Sequence, residues 1–169
     1  VENAEQKLRV VHFVNQFFAG VGTEEAANYP IEVREGPVGP GKAFARNFGA
    51  EVEIVATIVA GDNYFNEEHE KSIRATIDAL GKYRPDVVIA GPAFNAGRYG
   101  LACAAVCFTA QQEGIPAVTA MFPENPGTLT HKKEVVIVPT TVDVAGMALA
   151  VSAMTRLAVK MARREELGP

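Results

Sequence analysis

RPDVVIAGPAFNAGRYGLACAAVCFTAQQEGIPAVTAMFPENPG, residues Arg84–Gly127, is the stretch from which the fold is read. An apolar run, Asp86–Ala90, ends at Gly91-Pro92 and opens into the polar loop Asn95–Gly100. A helical segment follows over about Leu101–Glu113, then a second apolar run, Ile115–Met121, and a second polar loop, Phe122–Gly127. The order is strand, loop, helix, strand, loop. In an open parallel sheet the carboxyl ends of the strands share one edge, and ligands bind there.

Outward from this unit the same alternation recurs. Val10–Val14 is a first strand, rich in β-branched and aromatic residues, with the amides of Asn15 and Gln16 at its end. Glu51–Ala60 is a strand apolar enough along Ile54–Ala60 to be buried on both faces. It ends in the polar loop Gly61–Asn66, and Asn66 with Glu67, Glu68 and Glu70 predicts a helix start. Ile73, Ile77 and Leu80 form that helix's apolar stripe. Val135–Val138 is another strand, and Val144–Glu166 an amphipathic helix stopped by Gly168-Pro169. Between Gly22 and Gly49 the sequence is irregular, with Pro30, Gly36, Pro37, Gly39, Pro40 and Gly41, and only Lys42–Phe48 reads as a short helix. Strands alternating with helices predict an α/β fold: an open, mostly parallel sheet with helices on both faces, a Rossmann-like or flavodoxin-like three-layer arrangement. Residues 1–169 are expected to form one domain.

Composition narrows the function classes. With 169 residues, 48% of them hydrophobic and 21% charged, the chain suits a globular core. A net charge of -4 leaves no electrostatic footprint for nucleic acid. No apolar run approaches the roughly 20 residues that span a bilayer, and no apolar signal region follows the N-terminal charges. Cys103 and Cys107 lie four apart in a predicted helix, which holds them at about 6 Å with near-parallel Cβ vectors, a poor disulfide geometry. A cytoplasmic, reducing location is therefore expected.

Five loops are expected to converge: Asn15-Gln16, Gly61–Asn66, Phe94–Tyr99, Pro123–Asn125 and Thr140-Thr141. Their candidate binding residues are Asn15, Gln16, Asp62, Asn95, Arg98, Tyr99, Glu124, Asn125 and Thr140. The Arg98 guanidinium matches the two oxygens of a carboxylate. Glu124 is suited to a cationic amine, so the pair fits a small zwitterion such as an amino acid; the alternative is that Arg98 and Glu124 pair with each other. Cys103 is either a thiol acidified near a helix N-terminus or, with Cys107, a small buried hydrophobe. His12, His69 and His131 are scattered, with no ligand spacing for a metal. No catalytic triad is visible and the catalytic group is unassigned.

The motifs VNQFFAGVG, EVREGPVGPG, VAGDNYFNE, AGPAFNAGRYG, GIPAVTAMFPENPG and VPTTVDVAGM, in this order, resemble the selenoprotein B component of the glycine, sarcosine and betaine reductases. The resemblance runs from about Val10 to Gly168 and matches only the N-terminal part of that longer component. It implies a substrate-specific oxidoreductase subunit that cleaves a C–N bond reductively in a small amine or amino acid. It implies no cofactor in this chain, with a pyruvoyl group and a selenocysteine on partner chains or segments, and hence a hetero-oligomer. The Gly/Pro loop containing Glu35, Gly36 and Gly39 is the expected interface. Two other readings stand beside it: a non-catalytic small-ligand-binding or interaction subunit, and a self-sufficient enzyme using Cys103 or Glu124.

Overall fold

The computed structural model describes residues 6–168; the N-terminal stretch read for a leader lies partly, and Pro169 wholly, outside them. Six strands form one sheet: β1 (Leu8–Asn15), β2 (Glu32–Glu35), β3 (Val52–Ala60), β4 (Val87–Phe94), β5 (Ala117–Met121) and β6 (Val136–Pro139). Their order is β2-β3-β1-β4-β5-β6, and all neighbours are parallel except β2, which runs antiparallel to β3 at one edge. Helices α1 (Gly41–Phe48), α2 (Asp62–Glu67), α3 (His69–Tyr83), α4 (Gly97–Gln112), α5 (Pro126–His131) and α6 (Met147–Ala162) complete the fold. This is an open three-layer α/β fold.

The two-residue period of the strands divides the core. Val11, Phe13, Ala56 and Ile58 face Phe65, Leu80, Tyr99, Cys103 and Val106, from α2, α3 and α4. Val10, Ile54, Ile89 and Val118 face Phe44, Phe48, Val151, Met154 and Met161, from α1 and α6. Sheet faces covered on both sides explain why β1, β3 and β4 read as nearly unbroken apolar runs.

Several expectations are corrected. The irregular stretch contains β2, whose sequence Glu32-Val33-Arg34-Glu35 carries one apolar residue among charges. It is an edge strand, where charge is favoured because it deters pairing with other chains. Asn66 is not a helix cap: it lies inside α2 and donates from Nδ2 to the Asp62 carbonyl (2.9 Å). The buried residues of α3 are Ser72, Thr76, Ala79 and Leu80, whereas Ile77 is exposed. α5 was not anticipated, α4 begins four residues early at Gly97, and α6 ends at Ala162. The span Val144–Ala162 is also long and apolar enough to cross a bilayer, contrary to the sequence expectation. Its apolar face is packed on the sheet through Ala150, Val151, Met154, Ala158 and Met161.

His12 is fully buried in β1, edge-on to Phe44, and its Nε2 donates to the Gly91 carbonyl at 2.8 Å. Nδ1 has no partner. Burial pushes the ring's pKa from 6.5 down to about 4, against the opposing effect of the Gly91 bond. The folded state therefore holds the neutral ring while the unfolded chain takes up a proton below pH 6.5. Stability from this group is full above 6.5 and is lost as pH falls toward 4, by about 3 kcal/mol. Urea unfolding across that window should show this loss, and His12→Asn should flatten it whatever its absolute stability.

Candidate functional site

The sheet's strand order reverses direction between β1 and β4. From β1 the chain moves outward to β3, then returns to β4 on β1's other side. The loops leaving these adjacent strands therefore diverge and leave a crevice at their carboxyl ends. A cavity of about 470 Å³ lies there. After β1 it is lined by Asn15–Phe18, then by Thr23 and Glu24; after β3 by Asp62; after β4 by Ala93–Ala96, Arg98 and Tyr99; and after β6 by Val142–Val144.

Asp62 is the buried carboxylate of this cavity; the other two in its lining, Glu24 and Asp143, are exposed. It is buried at the start of α2, and Asn15 Nδ2 reaches both its oxygens at 3.2 Å. Gln16 Nε2 lies 3.4 Å from Oδ2, while Gln16 Oε1 accepts from the Asp62 backbone N–H at 3.0 Å. Burial raises the carboxyl's pKa above its ordinary value; the amides of Asn15 and Gln16 and the charge of Arg98 oppose that rise. Arg98 stands at the mouth, in the first turn of α4. Its Nη2 bonds Glu24 Oε1 and Oε2 at 2.9 and 2.7 Å, and Nη1 bonds Asn63 Oδ1. The N-cap of α4, Ala96, offers no side-chain acceptor, so the first N–H groups of the helix add positive potential at the same place.

Tyr99 lies beneath, fully buried, with its ring 6.0 Å from Phe13 and 5.8 Å from Phe18. Its hydroxyl has no hydrogen-bond partner among the described residues, and burial pushes the phenol's pKa well up. Phe94 holds φ at 51°, a left-handed backbone unusual for an aromatic residue and of a kind found at binding sites.

The candidate residues thus divide. Asn15, Gln16, Asp62, Asn95, Arg98 and Tyr99 share one cavity. Glu124 is exposed and outside its lining, so neither the Arg98–Glu124 pair nor a shared Arg98–Glu124 zwitterion site is formed; Glu24 takes the guanidinium instead. Thr140 is also outside, although its backbone is tied to Met121 and the lining begins two residues later at Val142. Asn125 is a brace. Fully buried, it donates to the carbonyls of Phe94 (2.9 Å) and Ala96 (3.1 Å), and its Oδ1 caps α5 by accepting from Gly127 N. Gly100 is required against it, since a Cβ there would sit 2.1 Å from Asn125 Oδ1. Glu35 is exposed on β2, and Gly36 and Gly39 form the turn beyond it. Gly39 has φ of 55° and lies so close to the Phe18 carbonyl that a Cβ would be 2.0 Å from the oxygen. Glu24, Val142 and Val144 were not singled out in the sequence: Glu24 is one of two adjacent acids in a loop, with no periodicity to mark it.

Cys103 and Cys107 are free and fully buried, and burial pushes both thiols' pKa values well up. Among the described residues no group of three or more His, Cys, Asp or Glu is placed to hold a metal ion.

The family model for glycine/sarcosine/betaine reductase selenoprotein B matches residues 7–169. The chain is 47% identical over 163 residues to glycine reductase complex component B subunit gamma of Carboxydothermus hydrogenoformans, covering 96% of this chain and 38% of the relative. It is 44% identical over 165 residues to sarcosine reductase complex component B subunit beta of Peptoclostridium acidaminophilum (97% and 38%). To the same organism's betaine reductase complex component B subunit beta it is 34% identical over 163 residues (95% and 37%). The chain therefore belongs to the glycine/sarcosine/betaine reductase selenoprotein B family, and it spans 38% of the length of the first of these relatives.

Asn125→Ala removes a helix cap and two side-chain donors, leaving the Phe94 and Ala96 carbonyls with only their backbone partners, Phe122 N and Gly100 N. It should destabilise the fold by about 2–4 kcal/mol, read as a shift of the urea midpoint. The loop Phe94–Ala96 should lose hydrogen-exchange protection in the same variant.

Proposed function

We propose that this chain is the substrate-binding part of a glycine/sarcosine/betaine reductase-like oxidoreductase, equivalent to the N-terminal domain of a longer family member. The reaction is reductive cleavage of the C–N bond of a small amine or amino acid. The observation that carries this reading is the pairing of opposite charges in one crevice, Arg98 at the mouth and Asp62 on the wall.

The substrates named in the relatives support a division of labour. Glycine, sarcosine and betaine share a carboxylate on a CH₂–N unit and differ in N-methylation. The shared carboxylate suits Arg98 and the N-terminus of α4, because a guanidinium and aligned N–H groups both favour an anion. The amino end suits Asp62, whose buried carboxylate is held in place by Asn15 and Gln16. The aromatic rings of Phe17 and Phe18 beside it accept a methylated ammonium.

A redox-active cysteine or selenocysteine on another chain or segment, and a pyruvoyl group on a partner, supply the chemistry in this reading. The burial of both thiols of this chain supports that assignment, since a thiolate nucleophile needs access and a lowered pKa. What this chain contributes is binding, orientation and the exclusion of water from the wall around Tyr99. The exposed turn carrying Glu35, Gly36 and Gly39 remains the proposed contact for the partner in a hetero-oligomer. In this reading the complex works in the cytoplasm, a reducing setting that suits the free thiols of Cys103 and Cys107.

The test is titration of the chain with glycine, sarcosine and betaine by calorimetry. Arg98→Ala should weaken binding about 10- to 100-fold with the circular dichroism spectrum unchanged, the loss expected of a charge-assisted bidentate contact. Unaltered binding overturns the reading. In parallel, iodoacetamide should leave Cys103 and Cys107 unmodified in the native protein and label them in urea.

A further inference from the structure

Glu24 is held in an unusual relation to the cavity. It belongs to a short 3-10 turn, Glu24–Ala26, that no side chain caps. The turn's flanks are fixed. Val21 N donates to the Gln16 carbonyl at 3.0 Å, and the Ala27 carbonyl accepts from Asn63 N and Tyr64 N at 2.8 and 3.0 Å. The neighbouring acid, Glu25, is turned back on Thr23 and accepts from its N–H at 2.9 Å. Of these two acids only Glu24 reaches over the crevice, where its two oxygens meet the same guanidinium nitrogen of Arg98. This places a protein carboxylate where the preceding reading seats the carboxylate of the substrate.

We propose that Glu24 is a displaceable stand-in for the ligand's carboxylate, and so a residue that sets the affinity and selectivity of the site. This rests on the assignment of Arg98 as the carboxylate clamp. The Arg98 and Glu24 side chains are 42% and 73% exposed, so the ion pair between them is solvated and weak. An incoming carboxylate exchanges one such pair for another on the cavity side, where α4's N-terminus adds to the attraction. A neutral isostere cannot make that exchange, because it leaves Glu24 in possession of the guanidinium. Release of Glu24 does not require the loop to unfold, since its anchors at Gln16 and Ala27 are backbone bonds that do not involve the Glu24 side chain.

The experiment is an NMR titration of the 169-residue chain with acetate, comparing four proteins. The unaltered chain should bind and Arg98→Ala should not. Glu24→Gln, which frees the guanidinium, should tighten acetate binding about two- to fivefold, the range available to an exposed ion pair. Glu67→Gln removes the same charge from a nearby exposed site that does not touch Arg98, and should leave the dissociation constant within about twofold. If Glu24→Gln binds no more tightly than the unaltered chain, or if Glu67→Gln has an equal effect, the stand-in role is overturned while Arg98 keeps its assignment. If Arg98→Ala binds acetate as well as the unaltered chain, the clamp itself is wrong and the stand-in falls with it.

Discussion

The parallel pairing of β1 with β4 is the constraint on which the site depends. Val10, Val11, His12 and Phe13 lie opposite Val87, Val88, Ile89 and Ala90, deep in the sheet. These residues are far apart in sequence and meet because each strand buries both faces. Their register sets where the two strands end, and therefore how far Asn15 stands from Phe94. The crevice exists because the chain leaves β1 in one direction and comes back to β4 from the other. A right-handed crossover on each side then sends the following helices to opposite faces.

Within that frame polar groups are braced from below rather than from solvent. Asn125 ties the β4 loop to the start of α5, and Gln16 and Asn15 position Asp62 through side-chain bonds. Such buried polar groups are costly unless partnered, and here most of them are. The exceptions are informative: His12 Nδ1, Ser72 Oγ and Tyr99 Oη have no partner among the described residues, and Tyr99 lines the cavity. The site is thus built on strand ends, with exposed residues, Phe17, Val142 and Val144 among them, lining its rim.

Much of the fold was legible because hydrophobic periodicity survives in the sequence wherever an element is buried. The runs at Val10, Ile54, Val87 and Val118 announced central strands. Failures fell where burial gives no signal. β2 is a charged edge strand, and α5 is too short to show a period. Ile77 matched the helical stripe of Ile73 and Leu80 yet is itself exposed, beside a groove that no other described element covers. The site was legible to the extent that a strand's carboxyl end can be located: Asn15, Gln16, Asp62, Asn95, Arg98 and Tyr99 follow directly from that rule. Glu124 and Thr140 follow the same rule yet lie outside the cavity: the loop after β5 turns directly into α5, and the loop after β6 reaches the lining only from Val142 onward.

Sequence pattern alone carries the class of fold, the order of the buried elements and, through the ordered loop motifs, the family. Those features depend on local pattern: which residues are apolar, at what period, and which turn residues interrupt them. Only the tertiary structure decided which loops meet. It joined Arg98 to Glu24 across 74 residues of sequence and put Asp62 between Asn15 and Gln16. It also sealed both thiols inside the core. Charge pairing and thiol burial are properties of distance and exclusion of water, and neither is encoded in the spacing of residues along a single chain.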